Sequence, residues 1–354
     1  MTNCVEGRII DIENREIFCG SIHIENGVIK AINKHDTDKE SYILPGFIDA
    51  HVHIESSMLT PENFGNAAIK HGTVAVVTDP HEIANVLGVQ GIEFMVENSK
   101  NSPVKTFFTV PSCVPATPFD VSGAVVSKED VEKLFSSGKF VGLSEMMNVP
   151  GVIFHDDDVI SKIEIAKKYN LPIDGHAPLL RGDDLSVYVK SGMSTDHECV
   201  TLEEAHEKIS LGMKVIIREG SAALNYETLK PLISESPNDV MFCTDDSHPH
   251  EILSAGHIKK LVVRSICNGF DLYDVLKVAS INPINHYNLD VGRLRVGDKA
   301  DFIVVDNIID FNVQEVYING EEQLAIERVV SDVETVNNFT HDYISVEMLK
   351  KAVS

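Results

Sequence analysis

The chain alternates short apolar runs with longer segments whose apolar positions repeat at helical spacing. Eight such runs, rich in β-branched and aromatic residues, follow one another through the middle of the sequence. This alternation is typical of parallel strands joined by crossover helices, and eight strands close a barrel. The pattern therefore predicts an α/β fold, a (β/α)8 TIM-type barrel. The runs occupy residues 46–53, 74–80, 105–112, 140–145, 171–176, 193–197, 214–221 and 240–246.

Shorter strand patterns flank the barrel on both sides. Residues 1–44 alternate polar and apolar positions around a turn at Asn26 and Gly27, and residues 292–330 repeat the pattern. We predict that both regions form one small β-sandwich domain whose halves meet in space. The barrel would then span residues 45–291, and residues 331–354 would form a C-terminal tail.

Nearly every barrel run ends in a side chain that can bind a metal ion or transfer a proton. Because strand C-termini of a barrel meet at one face, side chains far apart in sequence converge there. A single H-x-H pair, such as His51 and His53, is more simply explained as a strand that leaves the core with its polar face in water. Six such side chains at strand ends together favour a shared metal site. They are His51, His53, Glu145, His176, His197 and Asp245.

A second set of polar residues lies at and just after the end of the second barrel run, residues 74–80, and allows two interpretations. Asp79, His81 and Glu82 are predicted to contact the substrate, to support a ligand histidine, or to bind an extra metal ion. The alternative is a plain helix N-terminus, because acidic residues are favoured in the first turn of a helix. The sequence leaves both interpretations open.

The remaining polar candidates also lie at or just after strand ends. Arg218, Glu219 and Ser221 are predicted either to hydrogen-bond the substrate or to form a buried ion pair under the pocket. Two residues at the end of the third run have no fitting base beside them and are predicted to line the pocket rather than to act as nucleophiles. Those two residues are Ser112 and Cys113, and the last candidate is Asp246.

Composition and charge limit the classes of partner. Hydrophobic residues make up 43% and charged residues 24% of the 354, which is typical of a globular protein. The formal net charge of -24 would repel phosphate backbones and anionic lipid, so we expect neither a nucleic-acid nor a membrane partner. The six cysteines show no C-x-x-C spacing, and the first residues carry no signal-peptide pattern. We therefore expect a cytoplasmic protein.

Several longer segments carry a family resemblance. Together with HVH at residues 51–53, they make the chain resemble the metal-dependent amidohydrolase superfamily and, within it, the adenine deaminases. The resemblance extends from residue 1 to about residue 330. The segments are TDPHEIANVLG (78–88), VPSCVPATPFD (110–120), GLSEMMNVPGV (142–152), DGHAP (174–178), STDHE (194–198), IREGSAA (217–223) and FCTDDSHP (242–249).

The resemblance implies a reaction and a metal centre. The reaction would be hydrolytic deamination of adenine to hypoxanthine and ammonia. The centre would hold two divalent metal ions, iron or manganese, although zinc suits the same ligand types. Glu145 would bridge the ions, where many relatives in the superfamily use a carboxylated lysine, and Asp245 would also transfer protons. The implied ligands are His51, His53, Glu145, His176, His197 and Asp245.

Two other functions remain open at this point. A cyclic amide hydrolase of the same superfamily is the first, because a metal centre alone does not choose between an amine and an amide leaving group. A non-catalytic or partner-dependent subunit is the second, because adenine deaminases of the usual kind continue into a further C-terminal domain. We expect that a neighbouring subunit of a homo-oligomer covers the mouth of the barrel instead.

Overall fold

A computed structural model describes residues 2–117, 119–326, 328, 331–333 and 343–351. Its strands are β1 (Thr2–Asp11), β2 (Glu16–Glu25), β3 (Val28–Lys34), β4 (Tyr42–Pro45), β5 (Phe47–Val52), β6 (Thr73–Thr78), β7 (Lys105–Val110), β8 (Phe140–Met146), β9 (Ile173–Gly175), β10 (Thr195–Asp196), β11 (Lys214–Arg218), β12 (Val240–Cys243), β13 (Phe302–Val305), β14 (Val313–Ile318) and β15 (Glu321–Glu322).

The helices lie mainly between the barrel strands. They are α1 (Pro61–Ala68), α2 (His81–Leu87), α3 (Val89–Asn98), α4 (Lys128–Ser136), α5 (Val149–Ile153), α6 (Asp157–Lys168), α7 (Gly182–Lys190), α8 (Leu202–Ser210), α9 (Tyr226–Leu229), α10 (Leu232–Glu235), α11 (Pro249–Ala255), α12 (Ile258–Cys267), α13 (Leu272–Leu276), α14 (Asn282–Tyr287) and α15 (Val346–Lys351). Short 3-10 or π segments cover Ile54–Ser57, Ile69–His71, Ser99–Asn101 and Lys277–Ile281.

The eight predicted barrel strands are all present, and they pair in chain order. Strands β5 to β9 form one parallel sheet, and β10 to β12 form another. Parallel bridges between Ile173 and Met193 and between Val52 and Asp245 join the two sheets at both seams. The predicted (β/α)8 barrel is therefore confirmed. Every residue of β5 and β6 is buried, as expected of parallel strands covered by helices.

The crossover helices begin at sequence signals that satisfy their first backbone N–H groups. The side chain of Ser127 accepts from the N–H of Asp130, whose carboxylate accepts from Ser127 in return, at the start of α4. Asp156 caps α6, and the Thr201 hydroxyl accepts from the third residue of α8. These caps fix where each helix leaves the strand-end loop that precedes it.

The flanking regions form one seven-stranded sheet in the order β15, β14, β13, β4, β1, β2, β3. Strand β4 pairs parallel to β1 and antiparallel to β13, so the regions before and after the barrel meet as predicted. A bridge between Val28 and Lys299 brings the β3 edge back to the segment before β13. The sheet thus curls around its own apolar core, which includes Ile22, Ile24 and Phe302. The predicted small β domain is confirmed, whereas its residue bounds stay a prediction.

The predicted tail, residues 331–354, lies partly outside the described residues. In its described part, Tyr343, Ile344 and Leu349 are exposed. Within the described ranges, none of the helices combines the length and apolar character that crossing a bilayer requires.

The junction between the small sheet and the barrel leaves no room for a side chain. Gly46 is the one residue between β4 and β5, and a Cβ atom there would lie 2.2 Å from Cγ1 of Val74 on β6. Because the Val74 side chain is itself packed in the core, we expect Gly46→Ala to lower the free energy of unfolding by about 1 to 3 kcal/mol. Urea denaturation of the variant measures this loss.

The double variant Gly46→Ala/Val74→Ala is the control for this steric explanation. Shortening Val74 makes space for the new methyl group, so the two losses should sum to more than the loss in the double variant. Strictly additive losses would contradict a direct clash between the two side chains.

Candidate metal centre

The carboxyl ends of the barrel strands hold a buried cluster of imidazoles and carboxylates. All six residues that the sequence predicted as ligands belong to it. Within each of four overlapping groups, the potential ligand atoms lie within 4.8 Å of one another. The groups are His53, Asp79, His81 and Glu145; His51, His53 and Asp245; His51, Glu145 and His197; and His176, His197 and Glu198.

Glu145, at the end of β8, lies at the centre of the cluster. Its Oε1 atom is 3.4 Å from Nε2 of His53. Its Oε2 atom is 2.6 Å from Nδ1 of His176 and 3.1 Å from Nε2 of His197. The two oxygens of one carboxylate therefore face two different sets of imidazoles, which is the arrangement that a bridging ligand needs.

The seam that closes the barrel also sets the position of Asp245. The N–H of Asp245 donates to the carbonyl of His51, and the N–H of His53 donates to the carbonyl of Asp245, both at 3.0 Å. Asp245 has a φ of 56°, in the left-handed region that few non-glycine residues adopt. Its Oδ1 atom then lies 3.4 Å from Nε2 of His51 and 3.2 Å from Nε2 of His53.

A buried polar network supports this seam from the core side. The Oδ1 atom of Asp49 accepts from the N–H of His51 at 3.3 Å and from the N–H of Thr244 at 3.1 Å. Its Oδ2 atom accepts from the Thr244 hydroxyl at 2.5 Å and lies 2.9 Å from Nε2 of His257. Asp49 and His257 are fully buried. This network holds the backbone of His51 and of Thr244, which directly precedes Asp245.

Asp79 and His81 belong to the first of these four groups, and their function stays a prediction. The Nδ1 atom of His53 hydrogen-bonds the backbone carbonyl of Asp79 at 3.0 Å, which leaves Nε2 of His53 facing the cluster. His81 Nδ1 is 2.8 Å from Oδ2 of Asp79 and 3.5 Å from Oε1 of Glu145. Helix α2 nevertheless begins at His81, and Glu82 lies in its acidic first turn, as the alternative predicted.

Arg218 forms a buried ion pair, one of the two roles predicted for it. Its Nη1 atom donates to Oδ2 of Asp245 at 2.8 Å and to the carboxylate of Glu198. Glu198 was not among the predicted residues, and its Oε1 atom is 3.4 Å from Nε2 of His197. Its position directly after His197 was the available signal, because Arg218 at a neighbouring strand end needs a carboxylate partner.

The two candidates at the end of the third run contact the end of β8. The hydroxyl of Ser112 donates to the backbone carbonyl of Glu145 at 2.6 Å. Cys113 is buried and lies beside Met146, with 3.6 Å between the two sulfur atoms. Burial raises the pKa of the Cys113 thiol, so the neutral thiol is favoured, which fits a packing role and not that of a nucleophile.

The last three candidates lie beside the cluster and have other partners. Glu219 accepts from Nη1 of Arg264 on α12 at 2.7 Å. The Ser221 hydroxyl donates to Glu251 at 2.7 Å. Asp246 accepts the N–H of Ser221 through its carbonyl, while its Oδ1 atom is buried without a hydrogen-bond partner among the described residues.

The electrostatics of the cluster favour a bound cation. Burial raises the pKa of Glu145, but the nearby imidazoles of His176, His197 and His53 outweigh it and hold this pKa well below its usual range. The carboxylate therefore stays ionised at the centre of the cluster. Burial lowers the pKa of His53, whereas hydrogen bonds to Asp245 and Glu145 raise it well above its usual value. A bound metal ion would replace the protons that these histidine nitrogens otherwise carry.

His197 provides an independent test of whether the cluster fits a metal ion. Burial and the nearby His51 lower the pKa of His197, so its imidazole tends to stay neutral. Both of its ring nitrogens are buried and have no hydrogen-bond partner in the described part of the chain. A neutral, buried and unpartnered imidazole nitrogen offers its lone pair to a metal, so these residues fit such an ion.

Comparison with known proteins identifies the family. A sequence model of the amidohydrolase family matches residues 42–323, which include every strand of the barrel. The chain belongs to the amidohydrolase family. The superfamily is metal-dependent, which agrees with the cluster at the strand ends.

Individual relatives of this amidohydrolase are also close in sequence. The adenine deaminase of Methanosarcina mazei is 53% identical over 347 residues, which cover 97% of this chain and 62% of that protein. The adenine deaminase of Borreliella afzelii is 53% identical over 323 residues, covering 90% and 59%. The chain thus spans about three fifths of the length of the curated relatives that it matches.

Solved structures share the fold of this amidohydrolase at much lower sequence identity. The beta-aspartyl dipeptidase of Fervidobacterium islandicum has a TM-score of 0.66 at 14% identity, covering 94% of this chain and 100% of that chain. A likeness at this identity shows the fold alone.

The support of the barrel seam by Asp49 can be tested through stability. In Asp49→Asn, an NH2 group replaces one carboxylate oxygen. This group cannot accept a hydrogen bond, so buried donors are left unpaired. We expect the free energy of unfolding to fall by about 3 kcal/mol or more, measured by urea denaturation of the metal-free protein.

Asp271→Asn is the matched control for this prediction. Asp271 pairs with Arg15 at the surface and caps α13, where asparagine also caps well. Its loss should stay below about 1 kcal/mol. Equal losses in the two variants would contradict a special role for Asp49.

Proposed function

We propose that this chain carries the catalytic barrel of an adenine deaminase, which hydrolyses adenine to hypoxanthine and ammonia. The proposal depends on one observation, which is that a cluster of metal-ligating side chains occurs in a chain similar in sequence to adenine deaminases. The Glu145-centred cluster lies at the strand ends of a chain 53% identical to proteins named adenine deaminase.

We further propose that the cluster binds two divalent metal ions, iron or manganese, with zinc as the alternative. Glu145 would bridge them, as its two oxygens facing different imidazoles support. Bound ions would lower the pKa of a water molecule enough to supply hydroxide near neutral pH. The residues that would hold one ion are His51, His53 and Asp245, and those for the other are His176 and His197.

Asp245 is the residue that we propose for proton transfer. Arg218 holds its Oδ2 atom at 2.8 Å, so Oδ1 is the oxygen that faces the imidazole pair. Asp245 accepts the proton of the attacking water as the bond from oxygen to C6 of adenine forms. It then delivers this proton to the amine as the bond from C6 to nitrogen breaks and ammonia leaves.

Metal-reconstituted protein is expected to release one ammonia per adenine consumed, with the ultraviolet shift from adenine to hypoxanthine. Hydantoin, a cyclic amide, is expected to stay unchanged, because the proposed site acts on an amine leaving group. A chain that carries two metal ions and leaves adenine unchanged would contradict the proposed function.

Glu145→Gln is the variant that tests the bridging carboxylate in the same assay. It is expected to lose bound metal as well as turnover, measured by elemental analysis after gel filtration. Glu145→Lys with added bicarbonate is not expected to regain activity. Two tightly held ions in Glu145→Gln would argue against the bridge.

We also keep two proposals about the whole protein, a cytoplasmic location and a homo-oligomer. All six cysteines are free thiols, which supports a reducing compartment.

Phe119, Phe154 and Leu179, on loops after β7, β8 and β9, expose apolar surface at the barrel mouth, which supports contact between copies. Across a dilution series, the sedimentation coefficient and the specific activity should decrease together. Full specific activity in a strictly monomeric sample would contradict the proposal that a second copy covers the site.

A further inference from the structure

We propose that Lys208 is a positioning residue for the half of the metal centre that contains His176 and His197. The inference rests on the proposed function, because it concerns the second of the two metal ions. Lys208 lies on α8, and its side chain is 0% exposed. A fully buried lysine is unusual unless it is paired, so its partners indicate its role.

The Lys208 ammonium contacts residues adjacent to both imidazoles. Its Nζ atom donates to the carbonyl of Ala177 at 2.7 Å, directly after His176. It lies 3.2 Å from Oδ2 of Asp196, directly before His197. One charge thus connects the ends of β9 and β10, two neighbouring strands whose pairing is short.

Asp196 extends this connection to the backbone of both turns. Its Oδ2 atom accepts the N–H of Ala177, and its Oδ1 atom accepts the N–H of Glu198, each at 2.8 Å. These two N–H groups follow His176 and His197 in the chain. The Asp196 carboxylate therefore fixes the backbone immediately after each ligand histidine.

Glu204 provides the third charged group of the network. It accepts from Lys208 Nζ at 2.7 Å through Oε1. The same oxygen accepts the N–H of Leu179 at 2.8 Å, and Oε2 accepts the N–H of Val200 at 3.0 Å. Four backbone N–H groups in the two turns are thus held by two carboxylates that share one ammonium.

Lys208 must be charged for this arrangement to hold. Burial lowers the pKa of Lys208, but Asp196 and other neighbours raise it above its usual value. Without the ammonium, Asp196 and Glu204 would be two buried carboxylates with no cation between them. Either a proton would bind or a side chain would turn, and the backbone N–H groups would lose their acceptors.

The effect should be confined to one half of the centre. The Lys208 network contacts the turns that follow His176 and His197, whereas the Asp49 network supports His51 and Asp245. A network that served only overall stability would affect both halves alike. Metal binding measured ion by ion therefore separates positioning from general stabilisation.

The test is Mn²⁺ binding to the metal-free Lys208→Met variant. Binding is measured by calorimetry and by elemental analysis after gel filtration. We expect one ion to bind with the affinity of the wild type and the Kd of the other to rise roughly 10- to 100-fold. Anomalous diffraction from Mn²⁺-soaked crystals should show full occupancy beside His51, His53 and Asp245. Occupancy beside His176 and His197 should be reduced.

Lys105→Met is the matched control. Lys105 also forms an ion pair, partly buried, with its Nζ atom 2.7 Å from Oδ2 of Asp301, but it lies at the start of β7, the opposite end of the barrel. The Lys105→Met variant should bind both ions with wild-type affinity. If Lys208→Met does not fold, Glu204→Gln, which leaves Lys208 paired with Asp196, should show the same selective loss to a smaller degree.

The outcomes are distinguishable. Unchanged affinities in Lys208→Met, or equal weakening of both ions, would overturn the inference and leave the proposed function intact. The same loss in Lys105→Met would also overturn it, because the effect would then not depend on position. Wild-type protein that binds fewer than two ions would overturn the proposed two-metal centre and the inference together, whereas the proposed function is tested by adenine turnover.

Discussion

The structure depends most on the pair of backbone hydrogen bonds between the end of β5 and Asp245. These bonds join the last barrel strand to the first, so they close the barrel. The same bonds bring the Asp245 carboxylate against His51 and His53. Closing the barrel and assembling this part of the cluster are therefore one event. Because Asp49 accepts from the backbone on both sides of this seam, the core already favours the closed form before any ion binds.

The cluster concentrates charge at a point where the rest of the core is apolar. Five imidazoles and several carboxylates lie within a few contacts of Glu145, and most are buried. Such a cluster is costly to desolvate unless its charges compensate one another or a cation joins them. Two sets of buried polar residues flank it, with Asp49 and His257 on one side and Lys208 and Asp196 on the other. Both sets hold backbone next to the imidazoles and carboxylates of the cluster, so the polar core maintains the geometry of the site.

Much of this arrangement could be predicted from the sequence for a topological reason. Parallel strands that alternate with helices place their carboxyl ends at one face, so polar residues at the run ends had to converge. Glu198 was missed because a carboxylate in a loop looks like surface. Lys208 was missed because a lysine in an amphipathic helix normally faces water, and only the three-dimensional packing shows that it points inward. The fate of Glu219 was equally hidden, since its partner Arg264 is 45 residues away.

The single residue between β4 and β5 has a mechanical consequence. Strand β4 lies inside the seven-stranded sheet, paired on both sides, and continues through Gly46 directly into the first barrel strand. A hinge needs residues whose dihedral angles can change freely, and this junction has none to spare. The sheet and the barrel are thus expected to move as one body. Any opening that admits a substrate is then expected in the loops at the carboxyl ends of the barrel strands, such as the one beyond His53.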